Sequence, residues 1–247
     1  MNGLLASAPI NPGDHITRQL FGHSSLLKVD IDTVWATAIA GFLILLLGFA
    51  IRAKATAGVP GKLQLAFETI VSGVSKQVDS TMGDAGRPIV PLAVALFIFI
   101  LIANLLEMIP TGHSPQYLPA PSGDINFTLA LSLFVIIAVH VTWIRKQGLK
   151  RYVGHYFRPF AALFPINVIE EFVKPITLAL RLFGNIFSGG LLLLLIANLI
   201  PTNLIVPIPI LDTVWKLFAG VFVGPVQAFI FALLTILYFE AAIAGNH

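Results

Sequence analysis

The sequence predicts an all-α polytopic membrane protein, and three observations predict it. Of 247 residues, 57% are hydrophobic and only 11% are charged, against roughly 25% charged in a soluble domain. The mean hydropathy is +0.89. The apolar residues gather into uncharged runs, and about 20 helical residues cross ~30 Å of hydrocarbon. Ten of the 15 Lys and Arg fall in just two of the segments between those runs. This balance excludes an ordinary soluble enzyme and a disordered chain. The absence of Cys excludes a disulfide scaffold and thiolate metal sites. Alternating ten-residue strands of the barrel type are also absent, which leaves helices as the spanning element.

Taken in order, residues 1–32 contain Asp14, Arg18, Asp30 and Asp32 and no apolar core. They read as an extracytoplasmic segment and not as a cleavable secretory signal. The first membrane helix covers 33–51. Residues 62–82 mix Leu63, Leu65, Phe67, Ile70, Val71 and Val74 with Glu68, Lys76 and Asp79. They predict an amphipathic helix lying on the interface, with a soluble linker as the plain alternative. Membrane helices follow over 88–110 and 125–145. Two longer helices are expected over 166–200 and 207–244, roughly 50 Å and 55 Å at 1.5 Å per residue. Such lengths fit a bilayer only if the helices break or tilt well beyond the usual ~20°. Pro175 and Pro225 offer bends, and Pro201, Pro207 and Pro209 mark the turn between the pair. The expectation is thus one membrane domain over 1–247. It has about five membrane-embedded helices plus one amphipathic interfacial helix, the last two long, strongly tilted and antiparallel. Two such helices suit a surface that lies against something curved.

The charges orient this domain. Arg52, Lys54, Lys62, Lys76 and Arg87 lie between the first two membrane helices. Arg145, Lys146, Lys150, Arg151 and Arg158 lie between the third and fourth, while Met108–Asp124 has no Lys or Arg. The positive-inside rule puts both basic loops in the cytoplasm, the amino terminus outside and the carboxy terminus inside. An odd count of five spans agrees.

One charge escapes this explanation. From Pro175 to Leu211 the sole charged residue is Arg181, and an Arg at mid-membrane costs about 2.5–3.5 kcal/mol on insertion scales. A guanidinium cannot lose its proton to escape, so it needs a partner or water. At 100° per residue, Glu170, Lys174, Thr177, Arg181, Asn185 and Ser188 lie within about 40° of one direction. Polar groups in single file through hydrocarbon make sense if they line water or face a partner's charge. Hydrogen bonding to neighbouring helices covers Thr177 and Ser188 equally well, but not a permanent cation. On the last helix, Gly220, Gly224, Gln227, Phe231 and Tyr238 share a side. Two Gly four residues apart let another backbone approach, so that Gln227 can reach Arg181. Tyr238 reads equally as an interface aromatic. Glu240 points about 140° away from Gln227 and either serves a cytoplasmic water path or caps the span.

A second polar set lies toward the outside. Asn104 and Glu107 end one membrane helix, and Asp124 and Asn126 begin the next. A carboxylate at the outer mouth of a water funnel would capture and relay protons. His140 lies nearer the cytoplasmic end, on about the face of Asn126. It is able to titrate near neutrality, although a packing His is the commoner reading.

The run from Pro165 to Asn185, with Glu170, Glu171, Lys174 and Pro175 ahead of Leu180-Arg-Leu-Phe-Gly-Asn185, resembles the signature of subunit a of the F-type ATP synthase. Asn104 to Pro110, Asp124 to Asn126 and Gln227 to Phe231 support the resemblance, which covers most of the chain from about Pro88 and looks bacterial. It implies a non-catalytic, proton-translocating stator subunit in a cell membrane, beside a ring of c subunits and the peripheral-stalk b subunits of the complex. Arg181 would match the family's essential arginine facing the ring carboxylates, with Asn185 and Gln227 its polar neighbours. Glu107, with Asn104, Asp124 and Asn126 beside it, would belong to the outer half-channel. Glu170 and Glu171 would lie on the cytoplasmic side. No cofactor, metal or nucleic acid is implied; membrane lipid is the remaining partner.

Two positions depart from the pattern. Some members carry a carboxylate where this chain has Gly190 and a His where it has Gly220. If those side chains relay protons elsewhere, this chain must use others or water, with Glu107, Asp124 and His140 as candidates. The main rival reading is a secondary transporter that binds an anionic substrate at Arg181; a redox-driven pump subunit lacks any haem or flavin pattern. Residues 58–62 (Gly-Val-Pro-Gly-Lys) lack the spacing of a phosphate-binding loop.

Overall fold

In hydrocarbon every backbone N–H and C=O must find its partner within the protein, which a helix achieves within its own segment. The computed structural model describes residues 17–19, 28–56, 58–106, 121–157, 160, 164–199, 214–215 and 217–244. Those residues are nearly all helical. The exception is a short antiparallel ribbon, β1 (Thr17–Gln19) against β2 (Lys28–Asp30), with Arg18 opposite Val29. Strands of three residues are too short to leave a periodic signal in the sequence.

Helix α1 (Ile31–Lys54) turns Trp35, Phe42, Leu45, Leu46 and Phe49 outward and buries Ala36 and Ala40. Its outer face is therefore as apolar as lipid, and its small residues admit the neighbour α3 (Val90–Leu106). Between them lie α2 (Lys62–Met82) and a 3-10 segment, Gly83–Ile89. Val78 of α2 packs on Ala93 and Ile236. Helix α4 (Ile125–Gln147) ends at Gly148, whose φ of 81° is open only to a residue without Cβ, and whose N–H bonds the Ile144 carbonyl at 2.9 Å. A short helix α5 (Leu149–His155) follows, then α6 (Phe164–Leu199) and α7 (Gly224–Ala244).

Four helical stretches among the described residues are long and apolar enough to cross a membrane: Thr33–Lys54, Lys62–Leu106, Ile125–Gln147 and Ala219–Ile243. The second counts α2 and α3 as one continuous run. Helix α6, at 36 residues, is the longest single α-helix among the described residues, although its last turns include side chains outside the described set. The core forms where α3, α4, α6 and α7 converge, with Leu96, Ile100, Val135, Leu178, Leu182 and Phe231 buried together. The predicted class, an all-helical polytopic membrane protein, is borne out.

Each proline inside the long helices has a local consequence. Pro175 has no N–H to offer the carbonyl of Glu171, one turn earlier in α6. Pro225 likewise leaves Val221 without its usual rung, and the preceding turn, Ala219–Val223, is π-helical: Gly224 N–H bonds back five residues to Ala219 O. The expected residues 207–213 of the last helix lie outside the described residues, as do 107–110 of the second membrane helix.

Candidate functional site

Helix α6 presents its polar stripe on an outer side. Arg181, Asn185, Ser188, Thr177 and Glu170 are exposed, while Leu178, Ala179 and Leu182 are buried against the core. Two stripe hydroxyls are satisfied within their own helix: Thr177 Oγ1 donates to the Val173 and Lys174 carbonyls at 3.0 Å, and Ser188 Oγ to the Asn185 carbonyl at 3.2 Å. Arg181 is different. No acceptor or carboxylate among the described residues pairs with its guanidinium.

What is held is the backbone beneath it. Gln227 of α7 is 5% exposed. Its Nε2 donates to the main-chain carbonyl of Arg181, and its Oε1 accepts from Asn185 Nδ2 at 2.6 Å. One amide thus clasps α6 to α7 at two points one turn apart. The expected approach of Gln227 to Arg181 therefore ends on the main chain and leaves the guanidinium untouched.

The glycine that permits close packing on α7 also serves a different neighbour from the one expected. A Cβ at Gly224 would stand 3.1 Å from the Cβ of Asn104, on α3. Asn104 Nδ2 donates to the Gly224 carbonyl at 3.3 Å, and Ser122 Oγ donates to Asn104 Oδ1 at 2.5 Å. Asn104 is consequently buried and satisfied on both ends of its amide. The loop Ser122, which the sequence did not single out, belongs to this group; nothing in its spacing marks it. Gly224→Val should force α3 and α7 apart and destabilise the protein by about 1–3 kcal/mol, read as a lowered unfolding midpoint of the purified complex in detergent.

Asp124 sits at the start of α4 and accepts from the backbone N–H of Asn126 at 2.7 Å. That is an N-cap, a role legible from an Asp immediately before an apolar helix. Asn126 itself is exposed. Glu107 lies outside the described residues.

At the far end of α4, another set assembles that was expected only in scattered pieces. Lys174 Nζ donates to Glu171 Oε1 at 2.6 Å, and His140 Nε2 lies 3.6 Å from Glu171 Oε2. The first is a charge-assisted hydrogen bond; the second is beyond hydrogen-bond length and attracts only when the imidazole is charged. His140 Nδ1 is buried with no partner among the described residues. Tyr152 of α5 stands edge-on to His140 and to Trp143, and its hydroxyl meets that of Tyr156 at 2.9 Å. Burial, reinforced by the hydrogen bond to Tyr152, pushes the Tyr156 phenol well above its ordinary value. Tyr238 and Glu240 lie farther along α7, both half-buried. Glu240 makes no hydrogen bond or ion pair with the described residues.

The family model for the ATP synthase A chain matches residues 34–240. The chain is similar to the ATP synthase subunit a of Acidothermus cellulolyticus, 48% identical over 96% of this chain and 85% of that one. It is also similar to that of Mycobacterium bovis, 44% identical over 98% and 97%, and to that of Desulforamulus reducens, 38% identical over 92% and 86%. A match over so much of the chain, including the whole clasp between α6 and α7, places it: the chain belongs to the ATP synthase A chain family.

Proposed function

We propose that this chain provides two offset aqueous half-channels to a ring of c subunits, with Arg181 between them. Membership of the family makes it a multi-pass bacterial membrane protein, the ion-translocating and non-catalytic membrane-sector subunit of an F-type ATP synthase. The finer reading rests on one observation. Among the described residues the Arg181 guanidinium has no partner and stands on an exposed face of α6, while the backbone below it is fastened by Gln227. A permanent cation left without an internal partner suits an external carboxylate.

On this reading protons enter from outside past Glu107, Asn104, Asp124 and Asn126, and reach a carboxylate on the rotating ring. Arg181 favours the ionised carboxylate through the opposite-charge effect on its pKa, so the proton departs. It leaves toward the cytoplasm past Glu171, which Lys174 and His140 flank, with Glu170, Tyr238 and Glu240 nearer that side. Asn185 and Ser188 complete the face that meets the ring. The amino terminus is outside and the carboxy terminus cytoplasmic; α6 and the helix ending in α7 tilt around the ring, and b subunits anchor the stator.

The test is contact. A Cys in place of Asn185, paired with a Cys on the outer helix of a c subunit, should form an oxidative crosslink in membranes. The rival transporter reading predicts no crosslink and anion flux by the purified chain alone; that pair of results would overturn the proposal.

A further inference from the structure

A cavity of about 190 Å³ lies where the 3-10 segment ahead of α3 meets α4 and α7. It opens at exposed Pro88 and Lys146 and ends inside at buried Ile89 and Phe239, with Leu92 and Ala138 along its sides. The lining is apolar. Its one hydroxyl, on Thr142, already donates to the Ala138 carbonyl at 2.8 Å. A half-open apolar slot with no free polar group offers ordered water no partners and suits an apolar guest.

The mouth has the opposite chemistry. Lys146 Nζ reaches across it to the Ala85 carbonyl at 3.3 Å, and two of its three protons remain for another acceptor. Arg87 is neutralised by Asp84 at 2.8 Å, which leaves Lys146 and its neighbour Arg145 as the net charge at this end of α4. Gln147 donates to the Ala242 carbonyl at 3.0 Å and holds α4 and α7 together just beyond the cavity. A greasy slot with a cationic rim, at the basic end of membrane helices, matches a ligand with an acyl chain and an anionic head.

We infer that this cavity is a binding site for an anionic phospholipid, with a segment of one acyl chain in the slot and the phosphate at Lys146. Free phosphate would leave the slot empty, and a neutral lipid would leave the amine unanswered. The site is independent of the half-channel reading, since it needs only the membrane setting and the packing of α3, α4 and α7.

The experiment uses the intact complex in vesicles of phosphatidylcholine containing either phosphatidylglycerol or phosphatidylcholine with a photoreactive acyl chain. After illumination, labelled residues are located by mass spectrometry. Phosphatidylglycerol should label the stretches 88–92 and 138–142 about fivefold more than phosphatidylcholine, the effect of one basic residue at a lipid surface. Lys146→Gln, an exposed change that does not threaten folding, should bring the two lipids level. Ala138→Leu, which fills the slot, should remove the label. Absence of label at these residues in the unaltered complex overturns the site, and equal labelling by both lipids overturns its preference for an anionic head.

Discussion

Arg181→Ala should abolish proton-driven ATP synthesis in membrane vesicles while the detached catalytic head goes on hydrolysing ATP. The size of the effect follows from the ring carboxylate that the arginine is proposed to meet. An opposite charge nearby lowers a carboxyl pKa by about 1–3 units, so its loss slows deprotonation by about 10- to 1000-fold. Two half-channels that lose their electrostatic divider also leak, which lowers the gradient itself. Arg181→Lys should rescue little. An ammonium is a compact point charge that sheds its proton when desolvated, whereas a guanidinium keeps its charge and its planar fork. Synthesis at a normal rate in the Ala variant, measured against an imposed pH and voltage difference, would sink the assignment.

Gln227→Leu should have the second-largest effect, and by a different route. Leucine keeps the bulk and removes the amide. The Asn185 side chain then loses its 2.6 Å acceptor, and the tie to the Arg181 carbonyl disappears with it. Interhelical hydrogen bonds in membranes contribute about 0.6–2 kcal/mol, so the chain should still insert and assemble. Loosening the base of Arg181 by that amount should lower coupled ATP synthesis by about tenfold, since each ~1.4 kcal/mol is a factor of ten. Gln227→Asn, shorter by one methylene, should fall on the same side. Assembled complex with reduced coupling is the expected pair of readings. Loss of assembly instead would show that the clasp serves folding.

The helical class was legible because hydrocarbon leaves so little choice: the uncharged runs have one backbone solution, and composition reveals them directly. Arg181 was legible for the same reason, since a charge without topological cause stands out in such a background. The local contacts were less legible. Gly224 was expected to admit the helix that carries Arg181, but it lies against Asn104 of α3. A periodicity argument says which residues share a face and not which neighbour that face meets. Asp124 was weighed as a proton relay, and not also as the cap of α4 that its carboxylate forms. A cap depends on where the first turn begins, and that is the least certain part of any helix read from a pattern. The meeting of His140 with Glu171 joins two helices whose separation in sequence offers no signal. Gly189 shows the same limit, since a Cβ there would collide with the Trp215 indole, a contact that only the folded chain reveals.

The clasp on the main chain has a mechanical consequence. Gln227 grips the carbonyl of Arg181 and leaves the side chain alone, so the residue is a rigid post with a hinged tip. A rotor never presents its sites at one identical radius and angle, because thermal motion blurs each stop. A stator charge locked at both ends would need machining tolerances that no lipid-bathed bearing keeps. If Arg181 meets the ring as proposed, a charge anchored at the root and free at the end can follow a passing site over part of its arc, turning a single point of engagement into a short track.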